Sequence, residues 1–392
     1  MSNALSTRQK RTGPRGATPL ALLALAAATV PPEVRAAQGR VEVSGSIAMT
    51  ETYDDNILGI PDDQRRDTVS RVTPRLGIGY RSSRVDVRVH YSREAEQFGR
   101  TRELSTLSAR QEAGLDLRWS PSAAFEATGR AYYAETHNPG EFAFVLGLDP
   151  RGSQLIGLEL RRTLARRLWT VGSLSYRLGA RTRVTAEHGF AQDELGALTG
   201  ITQMVTARLD RKVGPVDSLG LAYGLRTFTA VGRPNTSHAA TLTWSREITA
   251  RAHVELQAGA RVSGRQVDPE LGARLRHLFR RGDVTLSYIQ TESAIIGRPT
   301  PVRVKEVSAT LTRPLGRRFT VTAGPSLLEA HGKAIDVVAY GTSFELSCRL
   351  SRYVSLTGTH RFSLQNAELD GRPRAEMPHN TVLLRLVAGA DK

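Results

Sequence analysis

Val72-Thr73-Pro74-Arg75-Leu76-Gly77-Ile78-Gly79-Tyr80, the break Ser82-Ser83-Arg84, and Val85-Asp86-Val87-Arg88-Val89-His90-Tyr91-Ser92 decide the fold of this chain. Every second side chain is apolar: Val72, Pro74, Leu76, Ile78 and Tyr80, then Val85, Val87, Val89 and Tyr91. The positions between them carry Thr, Arg, Gly, Asp, His and Ser. A period of two is the mark of a strand with one apolar and one polar face, and the short break predicts a hairpin. The same split recurs in Leu115–Trp119 with Phe125–Ala131, and in Val254–Val262.

Working outward, tight turns are expected at Ser82-Ser83-Arg84, Ser120-Pro121-Ser122, Ala165-Arg166-Arg167, Val213-Gly214-Pro215, Thr249-Ala250-Arg251, Arg281-Gly282-Asp283, Gly316-Arg317-Arg318 and Ser351-Arg352-Tyr353. Longer connections rich in Asp, Gly, Pro and Asn are expected at 55–67, 99–105, 136–152, 180–192, 229–235, 264–268, 293–302, 329–334 and 365–375. Short connections on one side and long ones on the other characterise an outer-membrane barrel. Eight turns and nine loops predict an all-β, single antiparallel up-and-down transmembrane barrel of about 18 strands, within about 16–20.

Composition agrees. Beyond the N-terminus no run of about 18 apolar residues exists, mean hydropathy is −0.29 and charged residues make up 23%, so helical spans are excluded. A spanning strand needs an apolar side chain only at alternate positions, and a closed sheet satisfies its own backbone. Arg8, Lys10, Arg11 and Arg15 precede the apolar segment Pro19–Val30, and Val34-Arg35-Ala36 offers a small-residue cleavage site. Residues 1–37 are therefore expected to be a cleaved signal peptide and 38–392 the barrel, in the cell outer membrane of a Gram-negative organism. The one cysteine, Cys348, rules out an intrachain disulfide and falls on an apolar position of its strand.

Aromatic residues are expected to form two interfacial girdles: Tyr80, Trp119, Phe125, Trp169, Phe279, Phe319 and Tyr353 at the turns, and Tyr91, Tyr133, Tyr176, Phe228, Tyr288 and Phe362 toward the loops. With the apolar face toward lipid, the polar face becomes a lumen lined by Arg75, Arg88, Arg110, Arg130, Arg208, Arg226, Arg261, Arg274, Arg349 and Arg361, with Arg118, Arg161 and Arg276 beside them. Glu94, Glu112, Asp116, Glu126, Glu159, Asp210, Glu255 and Glu345 interleave, so many of these charges are expected to pair across strands. Lys plus Arg number 54 against 38 Asp plus Glu, a net charge of +16, and rings of Arg and Lys select anions. The planar guanidinium fork suits carboxylate or phosphate. Cations spread around a strand array behind an export signal do not make a nucleic-acid surface.

The opening segment Ser44–Ile57, with Glu51-Thr52-Tyr53-Asp54-Asp55-Asn56, followed by Asp62-Asp63 and Arg71-Val72-Thr73-Pro74, resembles the start of the β-barrel porin 2 family of Gram-negative outer-membrane proteins. The resemblance is specific over about 40–98 and architectural beyond. It implies a passive conduit for an acidic exopolysaccharide, working with periplasmic polysaccharide-export proteins in a membrane of lipid and lipopolysaccharide. It carries over no catalytic residue and no cofactor. A general anion-preferring porin, a barrel hydrolase and a purely structural barrel are the other readings. His90, His253 and His360 with nearby serines lack a nucleophile motif such as Gly-x-Ser-x-Gly, so no catalytic residues are assigned. Asp54, Asp55, Asn56, Asp62 and Asp63 offer the oxygens calcium takes, yet Asp and Asn equally serve loop turns, and no metal site is assigned. The chain's end, Asn380–Lys392, lacks the aromatic residue that barrels of this class commonly finish on.

Overall fold

The computed structural model describes residues 39–58, 64–137, 163–230, 233–293, 301–332, 335–369 and 375–390. The expected signal peptide, Asp62, Asp63, Glu159, Arg161 and nearly all of Thr136–Gly152 lie outside the described residues.

From the tight-turn end, strands run up as β1 Arg40–Asp54, β3 Val85–Phe98, β5 Phe125–Thr136, β7 Thr182–Leu195, β9 Asp217–Ala230, β11 Ala252–Ser263, β13 Gly282–Ser293, β15 Phe319–Gly332 and β17 Val354–Leu369. They return as β2 Asp67–Arg81, β4 Thr106–Trp119, β6 Ala165–Arg177, β8 Leu198–Lys212, β10 Arg233–Thr249, β12 Gln266–Phe279, β14 Val302–Leu315, β16 Ile335–Arg349 and β18 Ala375–Ala390. Each strand pairs antiparallel with its sequence neighbours, and β1 pairs with β18, so the 18-stranded sheet closes on itself. Closure removes both edges, the condition for a sheet to sit in hydrocarbon.

Alternation assigns the two faces. On β1, Val41, Val43, Ile47, Met49 and Tyr53 are each at least 40% exposed, and they sit opposite Tyr80, Ile78, Pro74, Val72 and Thr68 of β2. The exposed apolar face continues through Leu117, Leu174, Leu221, Leu256, Leu311 and Leu384 around the ring. A soluble surface does not carry a patch of that extent, so this face is the lipid-facing exterior. Phe125 and Tyr133 mark its height on β5: eight steps at about 3.3 Å and a tilt near 40° rise about 20 Å.

The register corrects several sequence expectations. Ala165-Arg166-Arg167 is not a turn but the loop-end start of β6, and the turn lies at 178–181, inside what reads as a loop. Alternation runs through the Arg-Arg pair: Arg166 reaches Glu135 at 2.7 Å on the exterior while Arg167 pairs with Asp193 in the lumen. The expected loop at 264–268 is a two-residue link at 264–265, and the stretch 180–192, expected as a loop, is mostly strand β7, which joins β8 through 196–197. Trp169 faces the lumen opposite Tyr132, Phe228 is buried on the lumen face, and Tyr176 lies at the turn end rather than the loop end. Tyr91, Tyr288 and Phe362 lie near mid-strand, so the aromatic ring is well formed at the turn end alone, where Trp119 and Phe125 stack edge-on at 5.6 Å.

One stretch of wall departs from a plain cylinder. Between β14 and β15 the rungs at 309–310 and 324–325 are missing, because Pro325 has no N–H to give. Gly324 is required beside it, since a Cβ there would overlap the carbonyl oxygen of Ala309. The exterior is indented here into an apolar groove of about 580 Å³ lined by Leu256, Leu275, Leu286, Val307, Leu327 and Tyr340.

Candidate functional site

The lumen face has two kinds of wall. From β3 to β8 most of the charges are paired in place. Arg88 meets Asp86 at 3.0 Å, Arg118 meets Glu126 at 3.1 Å, Arg130 meets Asp116 at 2.8 Å and Arg208 meets Asp210 at 2.7 Å. Arg110 pairs with Glu112, whose second partner is the Tyr132 hydroxyl at 2.9 Å. Cross-strand pairs of this kind contribute about 0.2–1 kcal/mol each. Their larger effect is to cancel one another's field.

From β16 through β18 and β1 to β2 the middle of the lumen face is rich in Ser, Thr and Gly. Arg349, Arg361, Arg385 and Arg75 stand on it, all solvent-exposed, and among the described residues none of the four forms an ion pair. The acids on this wall are engaged elsewhere: Glu345 accepts a hydrogen bond from Ser347 at 3.2 Å, Glu42 pairs with Arg40 at 3.7 Å, and Asp54, in the same row as Arg361, is held by His379 at 2.7 Å. Hydrogen-bond rows place Arg361 level with Thr381 and Asp54, Arg385 level with Thr50, and Arg75 level with Ser46. Along β1 the three guanidiniums thus descend in four-residue steps of about 13 Å each.

All ten arginines singled out in the sequence share the lumen face by register: Arg75, Arg88, Arg110, Arg130, Arg208, Arg226, Arg261, Arg274, Arg349 and Arg361. They are not equivalent. Arg226 and Arg261 are buried, Arg88, Arg110, Arg130 and Arg208 are paired, and Arg274 sits opposite Glu255 without an ion pair. Arg385 was not read from sequence, because Leu383 and Val387 flank it on the same face and blur the alternation.

Near the loop end one strand of the wall bends into the lumen. Pairing of β12 with β13 stops at Leu271–Gln290, and the rest of β13 leaves its neighbour. Its main chain reaches Arg226 on β9, whose Nη1 donates to the carbonyl of Glu292. Three strands separate β9 from β13 in the wall, so this contact is made inside the barrel, across a short arc of its eighteen strands. The Glu292 carboxylate accepts from Ser237 Oγ at 2.9 Å, and Ser237 accepts from Arg261 Nη1 at 3.0 Å. Arg261 also pairs with Glu270, which accepts from Thr291 Oγ1 at 3.1 Å. Arg226, Arg261, Glu270 and Ser237 are consequently all at most 9% exposed.

The acidic motif after β1 is engaged by the last strand. Asp54 Oδ1 lies 2.7 Å from His379 Nε2, and Asp55 accepts from Asn380 through its main-chain N and its Nδ2, each at 2.8 Å. Asp54, Asp55 and His379 could together offer a cation three ligand atoms, but each carboxylate already serves the closing seam. His90 faces the lumen over Gly114, where any Cβ would overlap its ring, while His360 faces the exterior.

No protein-family model and no curated protein matches this sequence. Among solved structures, the chain is similar to the anion-selective porin from Comamonas acidovorans, at 12% identity over 90% of this chain and 100% of that one, with a TM-score of 0.42. It is also similar to OccK3 (OpdO) of Pseudomonas aeruginosa, at 10% identity over 89% and 96% with a TM-score of 0.48. The outer-membrane protein OpdK of the same organism gives 9% identity over 89% and 99% with a TM-score of 0.48. Identities this low and TM-scores below 0.5 carry nothing about cargo.

Proposed function

We propose that this chain is a passive channel of the Gram-negative outer membrane that prefers anions, with the loop end outside and the tight-turn end in the periplasm. Lipid and lipopolysaccharide surround its exterior. The observation that carries the reading is the descending set of unpaired arginines, Arg361, Arg385 and Arg75, on a wall of hydroxyls. A guanidinium without a carboxylate partner leaves its field in the lumen, where it lowers the energy of a passing anion. Hydroxyls on either side replace part of the anion's water shell.

The polymer export implied by the N-terminal resemblance is the narrower reading. The inward end of β13 narrows the loop end of the lumen, which favours small anions over a threaded chain, and periplasmic export partners belong to the polymer reading alone. Both are tested by refolding the protein without residues 1–37 and recording single channels in a planar bilayer under a potassium chloride gradient. A reversal potential on the chloride side supports the proposal. A cation-selective channel overturns it, and reversible block by an added acidic polysaccharide revives the polymer.

A further inference from the structure

The inward end of β13 places a carboxylate of the chain itself, Glu292, against a built cluster of buried cation and hydroxyl groups. Arg226, Arg261 and Ser237 converge from three successive strands, β9, β10 and β11. Two guanidiniums side by side in a buried place need anionic partners, and here these are Glu270, on the strand next to Arg261, and Glu292, on the inward end of β13. The two partners differ in what holds them. Glu270 lies within the paired part of the β11–β12 ladder, opposite Gly259. Glu292 belongs to a strand end that has left β12 and is paired only with β14.

We propose that Arg226, Arg261 and Ser237 form a binding site for a permeant carboxylate near the outer mouth, and that Glu292 is its resident occupant. An incoming carboxylate takes the Ser237 and arginine contacts, Glu292 is released, and the end of β13 swings off β9. Passage past this level is thereby coupled to the presence of the anion. The reading rests on the channel function proposed above. The chemistry of exchange is one carboxylate for another on the same donors, so no charge is left buried without a partner during the step.

The test pairs a lock with a release. In a Cys348→Ala background, Ser237→Cys with Glu292→Cys places thiols at two positions whose side chains meet through the far end of Glu292, so a short bis-methanethiosulfonate cross-linker joins them. The cross-linked barrel is expected to conduct weakly, and reduction is expected to raise conductance several-fold. Glu292→Ala is the second variant, expected to be open from the start. Citrate added on the loop side at constant ionic strength should raise the open fraction of the unmodified protein and leave Glu292→Ala unchanged. A cross-link verified by mass that leaves conductance unaltered overturns the inference while the channel reading stands, and so does an equal citrate response in both proteins. Barrels silent in every form, the reduced and Glu292→Ala proteins included, overturn the channel reading and the inference with it.

Discussion

The two sides of the lumen carry similar numbers of arginines and opposite electrostatics. Around β3–β8 most guanidiniums lie against a carboxylate on their own strand or the next, as Arg130 does with Asp116 at 2.8 Å. Around β16–β2 Arg361, Arg385 and Arg75 face Ser and Thr instead, at Thr381, Thr50 and Ser46. The difference teaches that a net charge of +16 says little about selectivity until each cation is asked for its partner. A paired wall stabilises the barrel, and an unpaired one acts on what passes through it.

The strongest way to break the comparison is to neutralise the unpaired wall. A unit charge in water acts on an ion 10 Å away with about 0.4 kcal/mol, a factor of about two in permeation. Arg75→Gln, Arg361→Gln and Arg385→Gln together should lower chloride permeability by roughly eight-fold while favouring potassium, so the permeability ratio read from the reversal potential falls further still. The same triple change made at Arg88, Arg130 and Arg208 should reduce the ratio less, because their fields are already cancelled. Equal losses from both triples would erase the distinction between the walls. Raising the salt should shrink the first effect, as the screening length falls from about 10 Å at 0.1 M to about 3 Å at 1 M.

A second change converts one wall toward the other. Asp116→Asn removes the carboxylate from Arg130 without altering side-chain volume, leaving an exposed guanidinium at mid-lumen. The expected outcome is a gain of about two-fold in anion preference, with the refolded barrel's melting temperature little changed, since an exposed pair of this kind contributes at most about 1 kcal/mol. A fall in anion preference would mean that the pair, not the free arginine, is the useful state.

How much of this was legible in the sequence follows from which facts are local. Strand identity and the strand count came through because alternation and turn chemistry act over a few residues, as in Val72–Ser92. The segment 165–181 misled because Arg166-Arg167 beside Trp169 imitates a turn and its aromatic girdle, while the true turn, 178–181, has Gly179 as its one turn-forming residue. A strand's parity is a local fact, and it groups the ten candidate arginines on the face opposite the exposed apolar side chains. Pairing was not legible, because it depends on register between strands. The Glu292–Arg226 contact joins residues 66 apart in the chain and depends on β13 leaving β12, which no local pattern announces.

The smallest expected effect tests how empty of acids the unpaired wall is. Asp54 lies in the same hydrogen-bond row as Arg361, two strands away, which at about 4.8 Å per strand is about 10 Å. Its carboxylate is taken by His379 Nε2 at 2.7 Å and by the backbone N–H of Asn56 at 2.8 Å. Asp54→Asn should therefore raise anion preference by less than two-fold, through loss of a distant negative charge alone. The main measurable change should be a lower thermal stability of the closed barrel, of about 1–3 kcal/mol, because a partly buried hydrogen bond to a charged group is lost at the β1–β18 seam. A rise in selectivity as large as that from Asp116→Asn would show that Asp54 neutralises Arg361 after all. The unpaired wall would then shorten to Arg385 and Arg75, and the anion's first foothold would move inward by one four-residue step, about 13 Å from the loop end.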